Sequence, residues 1–391
     1  MRIKIEIPIS DDIIKISQEF FKAGKEIYLV GGCVRDFLQG KIPHDFDLVT
    51  NALPEESKQI LSGWNVSDEQ GKNFGVLRIY TESEPLGYEL AVYRFDVVHG
   101  RDTHGSDQKV EIGKHITIEN DCARRDFTVN SLYYDINKKE IVDLTGGIDD
   151  IKNNIIRAVG EPHKRFEEDR LRILRCFRFA ARMNATIEEK TSEAIRKDNR
   201  LKGINDKENV SQERISEEMF KTLDNAKHNM SIMQKYFDLL NDFNMWEQMF
   251  QDTKINQNIN VKSLNKAILL FNLFDEDVAK KRKHFVQTLK FSDELINEIS
   301  FLQKIITDLT PDNVYKIAKI KKRFHINDDM MLEFAKIHEM DLNLVKTFIN
   351  FCLEGFKTDG NDLMAEGFKG EEIEKEKERL EVERFKRTFI F

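Results

Sequence analysis

The sequence lacks the features that would indicate a disulfide-bonded, zinc-binding or membrane protein. Its 391 residues include only four cysteines, Cys33, Cys122, Cys176 and Cys352, and none belongs to a CxxC pair. Their scatter favours buried thiols over a disulfide framework or a zinc site. No apolar run approaches the roughly 20 residues that a membrane span needs, and the N-terminus lacks the apolar core of a signal peptide. We therefore expect a cytoplasmic globular protein that does not enter a membrane.

Positive charge is also in short supply. The chain has 61 lysines and arginines against 69 acidic residues, which gives a formal net charge of −8. A nucleic acid would therefore bind only through local basic patches. The candidates lie in KKRKH at 280–284 and KIAKIKKRFH at 316–325, although basic runs are usually solvated helix faces. The predicted RNA-binding residues are Lys280, Lys281, Arg282, Lys319, Lys321, Lys322 and Arg323.

Glycine and proline become rare after the first 160 residues. Fourteen of the 19 glycines precede residue 161, and only one of the six prolines follows Pro162. The short runs typical of strands are also confined to the first part: EIYLV, FDLVT, FGVLRIY, YELAVYR and EIVDL. The pattern predicts a mixed α and β domain over residues 1–150, followed by an almost entirely helical remainder. The charged segment 371–389 is predicted to be a helix with a solvated face.

Two aspartates lie at the start of one strand-like run. In DFDLV, Asp45 and Asp47 are two residues apart, so in a strand both side chains point to the same face. Like charges this close repel each other, and burying them unpaired is unfavourable. A divalent cation would resolve the conflict, because carboxylates that reach Mg²⁺ commonly hold nucleotide phosphates. The alternative is a solvent-facing edge strand that ends in a turn.

A glycine pair precedes these acids. Gly31 and Gly32 join the strand-like YLV to the helix-like VRDFL, and backbone N–H groups at such a junction suit a phosphate. Arg35, one turn into the helix, is placed to add a bidentate contact to a triphosphate. Glu89, in the strand-like YELAVYR, is the candidate third carboxylate, although a lone strand glutamate is more commonly just exposed.

An arginine pair occurs in DCARRDFTVNSLYYD, residues 121–135. Arg124, Arg125 and Asp126 precede Phe127, which can bury and anchor the segment. These charges suit a surface salt-bridge cluster. They equally suit a site in which one arginine faces a phosphate or a base while the aspartate holds it. The residues alone favour neither interpretation.

A longer arginine pattern lies in RFEEDRLRILRCFRFAARM, residues 165–183. On one helix, Asp169, Arg172, Arg175 and Arg178 recur every three residues and form a stripe beside an apolar face. Like charges at this spacing destabilise a helix, so an anionic partner is expected. The aspartate and the first arginine suit the hydrogen-bonding edge of a nucleobase, and the other arginines suit phosphates. The alternative is a solvated arginine-rich face.

Taken together, the motifs resemble those of a known family. The chain is similar to the class II tRNA nucleotidyltransferases (CCA-adding enzymes) and bacterial poly(A) polymerases in GGCVRDFLQG, DFD, RRDFTVNSL, DLTGGIDDIKNNIIRAVGEP and RFEEDRLRILRCFRFAARM. The similarity covers roughly residues 25–220 in order and resumes weakly at 359–373. It implies an α+β fold: a polymerase beta-like nucleotidyltransferase head with a mixed sheet over 1–150, a helical neck over 151–225, and an all-α body and tail over 226–391.

The resemblance also implies a chemistry. The 3′-hydroxyl of a tRNA would attack the α-phosphate of CTP or ATP, and pyrophosphate would leave. Asp45 and Asp47 would bind Mg²⁺, with Glu89 as a third catalytic acid. The metal would lower the pKa of the hydroxyl, so no histidine base is needed. The residues that would bind the nucleotide are Gly31, Gly32, Arg35, Arg125, Asp169, Arg172, Arg175 and Arg178.

Two further implications concern selectivity and the second substrate. Asp169 and Arg172 would act as a protein template that pairs with the base of CTP or ATP in turn. The helical body and tail would grip the tRNA by its shape. The chain departs from the family pattern at Pro43 and His44, where a basic residue is common before DxD. It departs again around Glu89, where a Thr-Thr pair is common.

Three functions fit the sequence, and CCA addition is favoured. A poly(A) polymerase, or the A-adding enzyme of a split system, shares nearly all the motifs, although EQGKNFGVLRIY is more similar to the CCA-adding branch. The polar segment 97–120 is long enough for the mobile loop with which CCA-adding enzymes change from CTP to ATP. A non-catalytic RNA-binding relative is the third alternative. It would have no reason to keep an unneutralised acid pair.

Overall fold

The chain divides into two compact units, of which the first contains the predicted catalytic residues. The computed structural model describes residues 1–43, 45–68, 75–97, 109–201 and 210–389. The first unit comprises residues 1–211 with 242–244, and the second comprises 212–241 with 245–391. The predicted division into three parts, with boundaries at 150 and 225, is finer than this and stays a prediction.

Strands are concentrated in the first unit. They are β1 (Arg2–Lys4), β2 (Ile27–Val30), β3 (Asp47–Thr50), β4 (Asn65–Ser67), β5 (Val76–Tyr80), β6 (Tyr88–Val92), β7 (Phe95–Val97), β8 (Lys109–Glu111), β9 (Leu132–Asp135), β10 (Glu140–Asp143), β11 (Ile155–Ile156) and β12 (Thr186–Ile187).

Helices occur in both units. Those of the first are α1 (Asp11–Lys22), α2 (Gly32–Leu38), α3 (Pro54–Ile60), α4 (Ile118–Ala123), α5 (Gly147–Lys152), α6 (Pro162–Glu168), α7 (Leu171–Arg182) and α8 (Glu189–Lys197), with a 3-10 turn at Thr128–Asn130. The later helices are α9 (Gln212–Ala226), α10 (Met230–Asp242), α11 (Trp246–Met249), α12 (Lys266–Leu273), α13 (Arg282–Gln287), α14 (Asp293–Asp308), α15 (Val314–Phe324), α16 (Asp328–Ile337), α17 (Leu342–Glu354), α18 (Gly360–Ala365) and α19 (Glu371–Phe389).

A mixed sheet forms the centre of the first unit. Its strand order is β1-β10-β9-β2-β3-β6-β5-β4. Strands β3 and β6 run parallel, whereas the other neighbours are antiparallel. Every residue of β2 is buried, as expected for a central strand that is covered on both faces. One shared core contains Tyr28, Val30, Val49, Tyr133 and Val142, which come from four neighbouring strands.

Aromatic packing supports the helices of the second unit. The rings of Phe274 and Phe285 lie 4.9 Å apart, and those of Phe250 and Phe274 lie 5.5 Å apart in an edge-on arrangement. The helix ends agree with their sequence, because the Ser292 side chain accepts a hydrogen bond from the backbone N–H of Leu295 at the start of α14. The region that is poor in glycine and proline is therefore helical, as predicted.

The predicted fold class is confirmed, with two differences of detail. The five predicted strands correspond to β2, β3, β5, β6 and β10, and helix α19 spans the predicted segment 371–389. However, β11 and β12 form a short parallel pair inside the region predicted to be a helical neck. Helix α19 is also more than a solvated face, since the Glu381 carboxylate is buried and accepts hydrogen bonds from the N–H groups of Lys357 and Thr358 at 2.6 and 2.7 Å.

Within the described part of the chain, no helix combines the length and the apolar character that a bilayer span requires.

Candidate active site

The acid pair lies where strand β3 begins. Asp47 is the first residue of β3 and is exposed, whereas the rest of the strand is buried. Glu89 lies in β6, one residue before Leu90, which pairs with Leu48 in parallel register. Asp47 and Glu89 therefore lie side by side on neighbouring strands and on the same face of the sheet. Asp45 is exposed and precedes the strand, although the sequence predicted it to lie within the strand.

Partial desolvation and like charge both act on the Asp47 carboxyl group, although its side chain keeps solvent-accessible surface. The surrounding protein atoms, together with the neighbouring carboxylates of Glu89 and Asp45, raise the pKa of Asp47 to about 6. Arg125 and Arg78 oppose this rise. Negative charge is thus concentrated at the start of β3, and a bound cation would favour the ionised form of Asp47.

The carboxylate oxygens at this place are the donors that a hard divalent cation prefers. Magnesium commonly takes one or two protein carboxylates and completes its shell with water and substrate phosphates. Among the residues that the structure describes, no group of three or more histidine, cysteine, aspartate or glutamate side chains could hold a metal ion by itself. Glu89 forms an ion pair with Arg78. The residues therefore fit an ion held by Asp45 and Asp47 that also needs ligands from a nucleotide.

The glycine turn brings the backbone close to an arginine. Gly31 has a φ of +76°, a left-handed conformation that favours glycine, and its N–H donates to the carbonyl of Leu132 at 3.2 Å. Gly32 is the first residue of α2. Nη1 of Arg125 lies 3.8 Å from the position that a Cβ would take at Gly31. The glycine turn, Asp47 and Arg125 are therefore neighbours.

One buried carboxylate binds both arginines of residues 124–127, the RRDF segment. Asp121 accepts from Nη2 of Arg124 at 2.7 Å and from Nη2 of Arg125 at 2.8 Å, and it also accepts from the hydroxyl of Tyr133 at 2.7 Å. Although burial acts in the opposite direction, Arg125 and Arg124 keep the pKa of Asp121 well below its ordinary value. The sequence pattern grouped these arginines with Asp126. That grouping was wrong, because the acid that binds them is Asp121. Since Arg124 and Arg125 share the Asp121 carboxylate, this cluster of three side chains keeps an excess of positive charge.

Arg35 lies beneath the surface beside a second shared carboxylate. It is only 2% exposed. Its Nη1 donates to Oδ1 of Asn130 at 2.5 Å, and its Nη2 donates to Oδ1 of Asp36 at 2.8 Å. Asp36 accepts in addition from Nη2 of Arg182 at 2.8 Å. The Arg35 side chain is thus committed to protein partners, and its predicted contact with a triphosphate stays a prediction.

The arginine-rich segment forms two helices, so the prediction of one continuous helix was wrong. Helix α6 ends at Glu168 and helix α7 begins at Leu171. Between them Asp169 has an extended backbone, with φ of −151° and ψ of 104°, and its Oδ1 accepts from the N–H of Leu171 at 3.1 Å. The Asp169 carboxylate therefore satisfies one otherwise unbonded N–H group of the first turn of α7, from the position just before the N-cap residue Arg170.

Arg172 turns back towards the first helix. Its Nη1 donates to Oε2 of Glu168 at 2.7 Å and to the carbonyl of Arg165 at 3.0 Å, and its Nη2 donates to the carbonyl of Arg124 at 3.0 Å. Arg172 is 9% exposed, and Arg178 is 7% exposed. The alternative of a solvated arginine-rich face was therefore wrong.

Asp126 binds Arg175, the second arginine of the pattern. It accepts from Nε and Nη2 of Arg175 at 2.9 and 2.6 Å, and from Nδ2 of Asn130 at 3.1 Å. Although burial acts in the opposite direction, Arg175 and Asn130 lower the pKa of Asp126 to about 2. The anionic partner expected for Arg175 is therefore supplied, at least in part, by the RRDF segment. Asn130 connects this pair to Arg35.

The predicted RNA-binding residues lie in the second unit, and acidic side chains neutralise most of them. The ion pairs are Lys280 with Asp277, Lys281 with Glu276, Arg282 with Asp293, Lys319 with Glu374, and Lys321 with Asp328. Lys322 and Arg323 are exposed at the end of α15, and neither forms an ion pair with another described residue. The basic surface is thus smaller than the sequence predicted.

Relatives of the chain identify its family. The poly A polymerase head domain family matches residues 27–157. A CCA-adding enzyme of Lactobacillus helveticus is 32% identical over 324 residues, which is 80% of this chain and 76% of that protein. The chain belongs to the family of CCA-adding enzymes and poly(A) polymerases. It is therefore a nucleotidyltransferase, as the resemblance in its motifs indicated. A poly(A) polymerase I of Salmonella typhi is 36% identical over 193 residues, which is 48% of this chain and 40% of that protein.

Solved structures share the fold. The CCA-adding enzyme of Bacillus stearothermophilus, solved in complex with CTP, superposes with a TM-score of 0.70 over 94% of this chain and 91% of that one. The identity is 21%, so this likeness concerns the fold alone. The matched head domain contains the acid pair, the glycine turn and Arg125, but it ends before Asp169.

Several residues that organise the site were not predicted from the sequence. They are Asp36, Asp121, Asn130, Tyr133, Glu168 and Arg182. The spacing of Asp121 before Arg124 and Arg125, at i, i+3 and i, i+4, is a helical ion-pair signal that could have identified it. Asp36 and Arg182 are far apart in the sequence, so no local pattern joins them. Three parts of the predicted motifs lie outside the described residues: His44, residues 69–74 in EQGKNFGVLRIY, and residues 98–108 in the polar segment.

Proposed function

We propose that this nucleotidyltransferase adds the sequence CCA to the 3′ end of tRNA, using CTP and ATP and releasing pyrophosphate. The observation that supports this most strongly is the position of Arg125. It affects the pKa of Asp47 and approaches the glycine turn at Gly31. An acidic group for a metal and a basic group for phosphates are thus neighbours, as transfer of a nucleotidyl group requires.

Magnesium is the proposed metal, with Asp45 and Asp47 as its protein ligands. Bound there, the ion would neutralise phosphate charge and lower the pKa of the attacking hydroxyl. Arg125 would face the triphosphate, because it shares Asp121 with Arg124 and keeps part of its charge for an anion. Glu89, which lies on the neighbouring strand β6, would orient the carboxylates of Asp45 and Asp47.

Base selection is assigned to Asp169 and Arg172. An aspartate and an arginine together present an acceptor and paired donors, which match the edge of cytosine or adenine. Arg172 is bonded to Glu168 and to two backbone carbonyls, so reading a base requires it to exchange at least one of these partners. A contact to the base would offset that exchange only for the correct nucleotide, which favours selectivity.

The tRNA would be held mainly by its backbone and shape. We assign a share of this contact to Lys322 and Arg323, whose charges are not neutralised by an ion pair with a described residue. Nucleoside triphosphates and tRNA meet in the cytoplasm, which is the proposed location.

The test is a product-length assay with purified protein, Mg²⁺ and three tRNAs that end before the CCA, after the first C, and after CC. Each tRNA is offered CTP, ATP or both, and products are resolved to one nucleotide. The proposal predicts that, with both nucleotides present, each tRNA is extended until it ends in CCA and that no further nucleotide is then added.

Other results would identify a different member of the family or a different class. Long A tails would indicate a poly(A) polymerase, the activity of several relatives that match this chain. A single A added only to the tRNA that ends in CC would indicate the A-adding half of a split system. Tight tRNA binding without any addition would indicate a non-catalytic RNA-binding protein.

A further inference from the structure

One aromatic ring lies among three of the arginines assigned to the nucleotide. Phe179 belongs to α7 and is 5% exposed. The guanidinium carbon of Arg178 lies 4.3 Å from the centre of its ring, that of Arg35 lies 5.1 Å away, and that of Arg175 lies 5.5 Å away. All three distances are within the range in which a cation is attracted by the negative face of an aromatic ring.

The three arginines come from two different elements. Arg35 lies on α2, which follows the glycine turn, whereas Arg175 and Arg178 lie on α7. Like charges that converge on one place repel each other, and Asp36 and Asp126 offset this repulsion for Arg35 and Arg175. The ring attracts all three groups at once, so it links the guanidinium groups of the two helices.

A second ring fixes the orientation of the first. Phe127, from the RRDF segment, is fully buried and contacts Phe179 at 5.9 Å between ring centres, with an angle of 72° between the ring planes. The Phe179 faces are therefore held in place by apolar packing and not by the arginines alone.

We propose that Phe179 is a positioning residue that sets the spacing of Arg35, Arg175 and Arg178 through its ring electrons, and thereby sets the affinity for the nucleoside triphosphate. The proposal rests on the function proposed above, because it takes these arginines to belong to the nucleotide site. It differs from a role in apolar packing, for which only the size and shape of the side chain would matter.

The two roles are separated by changing the electrons of the ring while keeping its shape. Phe179 is replaced by 4-fluoro-, 3,5-difluoro- and 3,4,5-trifluorophenylalanine, which weaken the negative face step by step. The dissociation constants of CTP and ATP are measured without tRNA, so that no reaction occurs. We expect both constants to rise with each added fluorine, up to about 10-fold across the series. Thermal unfolding is recorded for each protein.

Phe177 provides a matched control on the same helix. It is fully buried and packs against Phe243 at 5.0 Å between ring centres. No cation is recorded over its ring among the residues that the structure describes. The same fluorinated series at Phe177 should leave the dissociation constants unchanged. Phe179→Leu, which keeps apolar volume without a π-system, should weaken nucleotide binding as the trifluoro variant does.

The outcomes decide between the two proposals. Equal nucleotide affinity across the Phe179 series, in a protein whose unmodified form binds CTP and ATP, would overturn the positioning role and leave the proposed function intact. An equal response of the Phe177 series would also overturn it. An unmodified protein that binds neither nucleotide would overturn the proposed function, and the positioning role with it.

Discussion

At the scale of single residues, the charges at the start of β3 are unfavourable for stability, which supports the proposed cation site. Asp47 lies beside Glu89 and close to Asp45, and its pKa is raised to about 6 by burial and by these neighbours. A carboxyl group whose folded pKa exceeds its unfolded value opposes folding when it is ionised. The unfavourable contribution is therefore present above pH 6 and disappears as the pH falls towards 4.

This leads to a prediction for Asp47→Asn. In metal-free buffer at pH 8 the variant should have a higher free energy of unfolding than the wild type, because it removes the like-charge repulsion. The difference should shrink at pH 5. Added Mg²⁺ should stabilise the wild type more than the variant. Chemical denaturation at the two pH values checks this, and a variant that is less stable at pH 8 would contradict the electrostatic description of the site.

Asp126 shows the opposite behaviour. Arg175 and Asn130 hold its pKa at about 2, so its contribution to stability is present above pH 4 and is lost as the pH falls towards 2. Asp126→Asn should lower the free energy of unfolding by about 2 kcal/mol at pH 7. Denaturation curves between pH 7 and pH 3 should converge for the two proteins. Asp149→Asn is the control, since Asp149 is exposed and, among the described residues, forms an ion pair only with Lys152, so its loss should change stability by less than about 0.5 kcal/mol.

At the scale of elements, the break between α6 and α7 separates the residues that the sequence pattern had joined. The spacing of three from Asp169 to Arg178 fits one helix, yet the extended backbone of Asp169 interrupts it, and the Asp169 carboxylate binds the N–H of Leu171 at the start of α7. Aspartate is among the best N-cap residues, and an acid followed by an apolar periodic run is a start signal. The sequence pattern is therefore compatible with one continuous helix and also with two helices that are separated at Asp169. The long-range contact of Arg172 with the carbonyl of Arg124 favours the broken form.

Helix α15 illustrates how an ion pair changes a prediction made from composition. Its lysines appear as one basic run, but Glu374 and Glu378 of α19 neutralise Lys319 and Lys316. A lysine that already faces a carboxylate gives little net attraction to phosphate. The cations at the C-terminal end of α15 keep more of their charge for RNA.

This difference in charge leads to a prediction for the double variant that combines Lys322→Ala with Arg323→Ala. The double variant should bind tRNA about 10-fold more weakly near 0.15 M salt, and its plot of log affinity against log salt should be flatter by about 1 to 2 units. Lys319→Ala is the matched control on the same helix and should change both quantities less. Binding measured by filter retention at three salt concentrations checks this. A larger loss in the control than in the double variant would contradict the assignment.

At the scale of the whole molecule, the sequence predicted architecture and chemistry better than it predicted side-chain partners. The loss of glycine and proline after residue 162 correctly separates the mixed sheet from the helices, because these residues are unfavourable inside helices. The strands β1 and β4 were not predicted, since each is only three residues long. The shared carboxylates Asp36 and Asp121 were also missed. A pairing such as Asp36 with Arg182 depends on packing that no local pattern records.

The most direct test of the central claim is a single-turnover reaction of a tRNA ending in CC with ATP and Mg²⁺, compared between the wild type and Asp47→Asn. Asp149→Asn serves as the acid control, and tRNA binding is measured for all three. We predict that the wild type and the control add one A. Asp47→Asn should bind tRNA normally but react at least about 100-fold more slowly, since it loses metal stabilisation of the transition state. Extension at the wild-type rate by Asp47→Asn would contradict the account.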